Sequence, residues 1–126
     1  MGKETFYKFV GAINNHDVNS LGELMSDDHI FTDAHGVEVM GRERMKKGWI
    51  GYFKWFPDYK IEIREIYEDE NTISALGFAC GTFEGVNPEE NFWRIPAAWK
   101  AEIYDGKIAH WQIFADTKIP YDIIEI

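Results

Sequence analysis

One cysteine in 126 residues, Cys80, excludes an intrachain disulfide and any multi-cysteine metal site. That usage fits a reducing compartment. Basic residues are also scarce: 13 Lys and Arg stand against 22 Asp and Glu, a formal net charge of −9. Phosphate backbones and anionic membranes need a basic stripe, so neither nucleic acid nor a membrane surface is expected as a partner. Arg42, Arg44, Lys46 and Lys47 read as the solvated charges of one helix. No apolar run approaches the roughly 20 residues of a membrane span. The start, "MGKETFYKF", lacks the apolar core of a signal peptide and the Ser/Thr of a myristoylation signal. The chain reads as cytoplasmic. Repeats, low-complexity tracts and linkers are absent, and the length suits one domain over residues 1–126.

Aromatics are plentiful, at 16% with five Trp. Such side chains fill cores, and they also line pockets for apolar or aromatic ligands. Phe6, Phe9, Val10 and Ile13 follow the spacing of an amphipathic helix from Lys3 to about Asn15. After "NNHD", where His16 should be solvated, Asp17 can cap a second helix carrying Val18, Leu21, Leu24 and Met25. His29 to Ala34 reads as a strand and "VEVM" as a short strand or extended turn. Met45, Trp49, Tyr52, Phe53 and Phe56 mark one face of a third helix, which Pro57 stops. These aromatics are first of all core, and some of them must line any open cavity.

Beyond Pro57 the period changes from 3.6 to 2. "YKIEIREIYE", "NTISALGFACGTFEG", "FWRIPAAWKAEIY" and "KIAHWQIFADT" read as four strands of a meander. Pro96 suggests an edge or a bulge, and Asp105-Gly106 a tight hairpin. The apolar "IPYDIIEI" should pack on the domain or on a second subunit. Helices first and long strands afterwards make an α+β domain, with three N-terminal helices against a strongly curved, mainly antiparallel sheet. The interior of such a cone is a natural pocket.

The stretches "FVGAINNHDVNSLGELMSDDHIFTD", "GRERM", "FPDYKIEI", "GTFEG" and "YDGKIAHWQIFADT", in this order and at these spacings, span nearly the whole chain. In them the sequence resembles the superfamily of nuclear transport factor 2 and ketosteroid isomerase, nearest to its SnoaL-like polyketide cyclase branch. The resemblance implies a cone-shaped fold, a homodimer and a hydrophobic pocket. It does not imply one reaction, because the superfamily holds isomerases, cyclases, dehydratases, epoxide hydrolases and binding modules.

Asp33 falls where the ketosteroid isomerases keep their catalytic carboxylate. Strand parity places it on one face with His29, Phe31 and His35, and a carboxylate in an apolar site is a candidate base. It can equally cap a turn before "AHG". The oxyanion donors of those isomerases are missing: Phe9 stands where they have a tyrosine, and Trp99 or a neighbour where they have a protonated aspartate. The Arg-x-Asp pair of the epoxide hydrolases is replaced by Cys80 and Thr82. Asp116 in "HWQIFADT" matches the acid/base aspartate of SnoaL-like cyclases, although it shares strand parity with His110, Gln112 and Phe114 rather than with Trp111.

His35 and His110 are candidate proton shuttles beside an aspartate. His29, Asp33 and His35, spaced by two on one strand, converge poorly on an ion, so neither metal nor cofactor is expected. Phe9, Phe31, Trp49, Phe53, Trp99 and Trp111 are the expected pocket walls. The sequence thus points to a cofactor-independent acid/base enzyme for a small apolar or aromatic carbonyl compound, of isomerase, cyclase or dehydratase type. The alternative is a non-catalytic ligand-binding or dimerisation module.

Overall fold

The computed structural model describes residues 2–125. The helical spacing at the start becomes α1 (Gly2–Asn14), which turns Phe6, Phe9, Val10 and Ile13 into the core. Asn14 ends it in a way that fixes its place: Nδ2 donates to the Ile61 carbonyl at 3.0 Å, and Oδ1 accepts from the Ile61 N–H at 2.8 Å. The amide thereby stands in for a neighbouring strand. His16 is not solvated as expected. It takes a left-handed φ of 55°, stacks on Phe53 at 4.0 Å and donates from Nε2 to the Tyr59 carbonyl at 2.9 Å.

Asp17 caps α2 (Val18–Leu24), its carboxylate accepting from the Ser20 N–H. Then β1 (Met25–Thr32) and β2 (Glu38–Met40) form an antiparallel pair, and after them α3 (Arg42–Trp55) buries Met45, Trp49 and Phe53. The meander is β3 (Lys60–Asp69), β4 (Thr72–Thr82), β5 (Phe92–Tyr104) and β6 (Lys107–Phe114). A one-turn helix, α4 (Pro88–Asn91), leads into β5, and α5 (Lys118–Ile124) comes after β6. Asp105 and Gly106 both have positive φ, the conformation that a two-residue hairpin with matching twist requires.

The sheet has six strands in the order β2-β1-β6-β5-β4-β3. The four-stranded meander read from the sequence is therefore extended by β1, which lies parallel to β6 with Phe31 opposite Trp111. Pro96 sits inside β5 but beyond the end of β6, whose pairing with β5 begins at Ala98 and Phe114, so its missing N–H faces no ladder on that side. A register shift between Ile63 and Glu65 bends β3 over β4. Gly77 is required there, because a Cβ would lie 1.8 Å from the Glu62 carbonyl oxygen. The curved, unclosed sheet wraps α1 and α3, and its concave face carries Ile73, Ala75, Ala79, Trp93, Ile95, Trp99, Ala101 and Trp111 into the core. No helix among the described residues is long and apolar enough to cross a membrane.

Candidate functional site

Between α3, the concave sheet and α5 lies a cavity of about 310 Å³. Its walls are mostly rings. Trp49, Tyr52 and Trp55 come from α3, Trp93 and Trp99 from β5, Trp111 from β6, Phe31 from β1 and Tyr121 from α5. Many of these rings meet at right angles: Trp49 on Tyr52 at 88°, Tyr52 on Tyr59 at 88°, Phe56 on Trp93 at 87°. Edge-to-face packing of this kind holds each ring by its neighbours, so the walls are stiff. Among the described residues no Lys or Arg lines the cavity.

Asp33 stands on this wall, one residue past the end of β1. The strand expected through Ala34 stops at Thr32 because residues 33–36 turn back toward β2. The turn is made by the aspartate itself: Oδ1 accepts the N–H of His35 at 2.8 Å and of Val37 at 3.0 Å. The turn-making reading of this residue holds, and the same residue stands on the cavity wall. Asp33 organises the turn with one oxygen, and Oδ2 has no hydrogen-bond partner among the described residues. His35 also lines the cavity, at its exposed rim. Its Nε2 shares a 2.8 Å hydrogen bond with the Thr117 hydroxyl, and its ring stacks on Tyr121 at 5.0 Å. The rim is thus pinned to α5.

The other two candidate acid/base groups lie elsewhere. Asp116 is exposed, and its Oδ1 accepts the Lys118 N–H at 3.0 Å at the start of α5. Trp111 and Ile113 of β6 and Ala115 and Thr117 beyond its end line the cavity, and Asp116, between the last two, does not. His110 obeys the same parity and lies on the convex face. There Nδ1 donates to Glu102 at 3.4 Å and Nε2 accepts from the Thr32 hydroxyl at 2.8 Å, a link across the β1–β6 seam.

Of the expected pocket walls, Phe31, Trp49, Trp99 and Trp111 line the cavity. Phe9 and Phe53 do not. Phe9 is fully buried against Trp111, at 4.7 Å, and beside His29. Phe53 is taken up by the stack with His16. His29 itself has no exposed surface; Nδ1 donates to the Ile108 carbonyl at 2.8 Å, and Nε2 has no partner among the described residues. Burial holds this imidazole below its ordinary pKa of 6.5, hence neutral. No group of three or more His, Cys, Asp or Glu among the described residues is placed to hold a metal ion.

Sequence reading missed Tyr59, and it placed Tyr52 in a helix face read first as core, some of which must line an open cavity. Both line the cavity. Burial pushes both phenols above their ordinary value, strongly at Tyr59, while a hydrogen bond with Tyr59 partly offsets the effect at Tyr52. Both therefore remain protonated donors. The available signal was the spacing of seven from Tyr52 to Tyr59 across Pro57, too short to separate a helix from the turn beyond it.

A curved sheet wrapped on helices, with an aromatic cavity and a carboxylate on its wall, defines the cone-shaped α+β class named for nuclear transport factor 2 and ketosteroid isomerase. Within that class the chain belongs to the SnoaL-like domain family, which matches residues 6–111. Solved structures agree. A hypothetical protein of Catenulispora acidiphila with a ketosteroid isomerase-like fold, in complex with trimethylamine, superposes with a TM-score of 0.85 at 17% identity, over 98% of this chain and 93% of that one. IdmH, a candidate polyketide cyclase from Streptomyces antibioticus, gives 0.81 at 19% identity, over 100% and 99%. An epoxide hydrolase of M. tuberculosis gives 0.82 at 14%, over 98% and 89%. At such identities the likeness is one of fold. No functionally curated protein matches the sequence.

Proposed function

We propose that this chain is a cofactor-independent acid/base enzyme acting on a small apolar carbonyl compound, with Asp33 as the base. The reading is carried by one observation: Asp33 lies on the wall of an aromatic cavity, held through Oδ1 by its own turn, with Oδ2 unengaged among the described residues. A fixed carboxylate takes a proton from a carbon beside a carbonyl and returns it elsewhere, which serves isomerisation, aldol-type cyclisation or dehydration alike. His35, at the rim, is placed to pass protons to solvent. Phe31, Trp49, Trp99 and Trp111 exclude water and hold the apolar body of the ligand. Asp116 and His110, both away from the cavity, have no part in this scheme. Family membership and the likeness to a candidate polyketide cyclase support it at the level of reaction class.

The test needs no knowledge of the natural substrate. Cyclic ketones in deuterated buffer report proton abstraction as loss of the α-proton NMR signal. Exchange catalysed by the wild type should drop about 100-fold or more in Asp33→Asn. Unchanged exchange in that variant would remove Asp33 from the mechanism.

The domain is also proposed to act as a homodimer. On the convex face Leu76, Ala98 and Phe114 are direct cross-strand neighbours, and Leu76 and Phe114 are 42% and 50% exposed. Adjacent Phe78 is covered by the Arg94 guanidinium at 3.8 Å, so the open apolar row is this one. A second copy meeting it in antiparallel fashion buries the row from both sides. The same face supports the second reading, a dimerisation module without chemistry, which the exchange experiment separates from the first.

A further inference from the structure

All five tryptophans of the chain line one cavity: Trp49, Trp55, Trp93, Trp99 and Trp111. They reach it from three elements, α3, β5 and β6. Four are buried, and Trp55 is 53% exposed. Filling a core does not ask for this choice, since leucine and isoleucine pack as well and bring no polar group that needs a partner. Trp49 and Trp93 keep buried indole N–H groups without a partner among the described residues, a cost that an aliphatic wall avoids. What indole supplies and an aliphatic chain does not is the negative face of its ring. A ring that gives its edge to a neighbour, as in the near-perpendicular Trp49–Tyr52 and Tyr52–Tyr59 pairs, keeps its faces for other contacts.

The formal charge at the cavity has one sign. Among the described residues Asp33 is the single Asp, Glu, Lys or Arg on the wall, and the chain as a whole carries −9. Low-dielectric walls focus such a field instead of screening it. An anion is repelled there and a neutral ligand gains nothing from it. A cation gains from the carboxylate and from the ring faces at once.

We propose that the cavity is a cation site, and that it takes a small molecule bearing an alkylated ammonium group. The methyl and methylene groups around the nitrogen pack on the rings, and the charge spread over them meets the indole faces within reach of the Asp33 field. Alkylation matters because a bare ammonium is strongly hydrated, and the cavity has few polar atoms to replace its water. The space of about 310 Å³, bounded on one side by Pro120, Tyr121 and Ile124 of α5, suits a whole small molecule rather than one group of a larger partner. Combined with the reading of Asp33 as the base, on which this part rests, the substrate becomes a carbonyl compound that carries its own cation. One carboxylate serves both purposes, since attraction of the ammonium acts across the cavity whereas proton removal needs contact. The ligand's cation then stands near the oxygen on which enolate charge grows, a service that no Lys or Arg of the described wall provides.

Two probes of equal shape and opposite hydration test the assignment. Choline carries a quaternary nitrogen, and 3,3-dimethylbutan-1-ol has a carbon in its place. Both are titrated at constant ionic strength by calorimetry and by the change in Trp emission. Wild type should bind choline about tenfold or more tightly than the alcohol. Asp33→Asn keeps the oxygen that accepts from the His35 and Val37 N–H groups and removes the charge. It should cut the preference for choline about threefold or more and leave the affinity for the alcohol unchanged, which also shows that the cavity is intact. An undiminished preference in Asp33→Asn overturns the part given to the carboxylate. Equal binding of the two probes, or tighter binding of the alcohol, overturns the cation site and leaves Asp33 as base to its own exchange experiment with neutral ketones. Binding of neither probe to the wild type overturns the cation site as well.

Discussion

His29 is the residue whose environment has the plainest consequence. It is fully buried, neutral, and short of one partner among the described residues. Its folded pKa is depressed below 6.5, so above that pH both folded and unfolded states hold it neutral and it adds no pH dependence. As pH falls below 6.5 the unfolded chain takes up a proton that the folded imidazole refuses, and stability declines through the window down to the folded value. Urea midpoints of the wild type should therefore fall between pH 7 and pH 5, before ordinary carboxylates titrate. His29→Gln should flatten that limb; a wild-type midpoint constant over this range would count against the assignment. Gly77 gives a second expectation at this scale. Gly77→Ala pushes a methyl group into the Glu62 carbonyl and should cost about 1–3 kcal/mol in chemical denaturation. A cost within error of zero would mean that the β3 bend relaxes.

Much at the residue scale was legible, and the limits have physical causes. Asp33 was found because a carboxylate between Phe31 and Ala34 is out of keeping with an apolar strand. Its two roles, turn-maker and cavity wall, could not be separated without knowing that the chain reverses at once. The departure of Asp116 from the cavity was already implied by parity. Nothing local distinguished Phe53 from Trp49, since both lie on the buried face of one helix and only the position of His16 decides between them.

Among elements, the attachment of α1 to β3 is the one most open to test. Its end is tied through a single amide that makes two backbone hydrogen bonds with Ile61. Asn14→Ala leaves both of those groups partly buried and unpaired, and should cost about 2 kcal/mol. Asn14→Asp, which keeps the acceptor and loses the donor, should retain part of it. Equal stability of Asn14→Ala and wild type would show that water replaces the amide without loss. Element type was readable from periodicity for α1, α3 and the meander, and β5 was read with its bounds as observed, Phe92–Tyr104; α4 and α5 were not read as helices, and Met25, expected on the second helix, opens β1. What failed was partnership. The strand carrying Phe31 joins the sheet beside β6, and no pattern within either segment encodes a parallel neighbour so far along the chain.

For the whole molecule the convex face sets the expectation. Light scattering should give twice the 14.7 kDa chain mass, and Phe114→Glu, a charge placed at one end of the apolar row, should halve it without loss of helix and sheet signal. A monomeric wild type would leave the exposed row without its proposed partner.

The seam between β1 and β6 also governs how the molecule comes into being. His29 and the Ile108 carbonyl it binds are 79 residues apart, so the contact closes more than half of the chain into a loop. Synthesis proceeds from the other end of that loop. While the ribosome is still adding β6, the hairpin of β3 and β4 has all its residues, whereas β1 has only the three-residue β2 to pair with. The aromatic face of α1 stays partly uncovered for the same interval, because Trp111, on which Phe6 and Phe9 pack, is among the last core residues to emerge. The nascent protein thus spends most of its translation with its stickiest surface bare, and the cavity takes shape only once the final strand has left the exit tunnel.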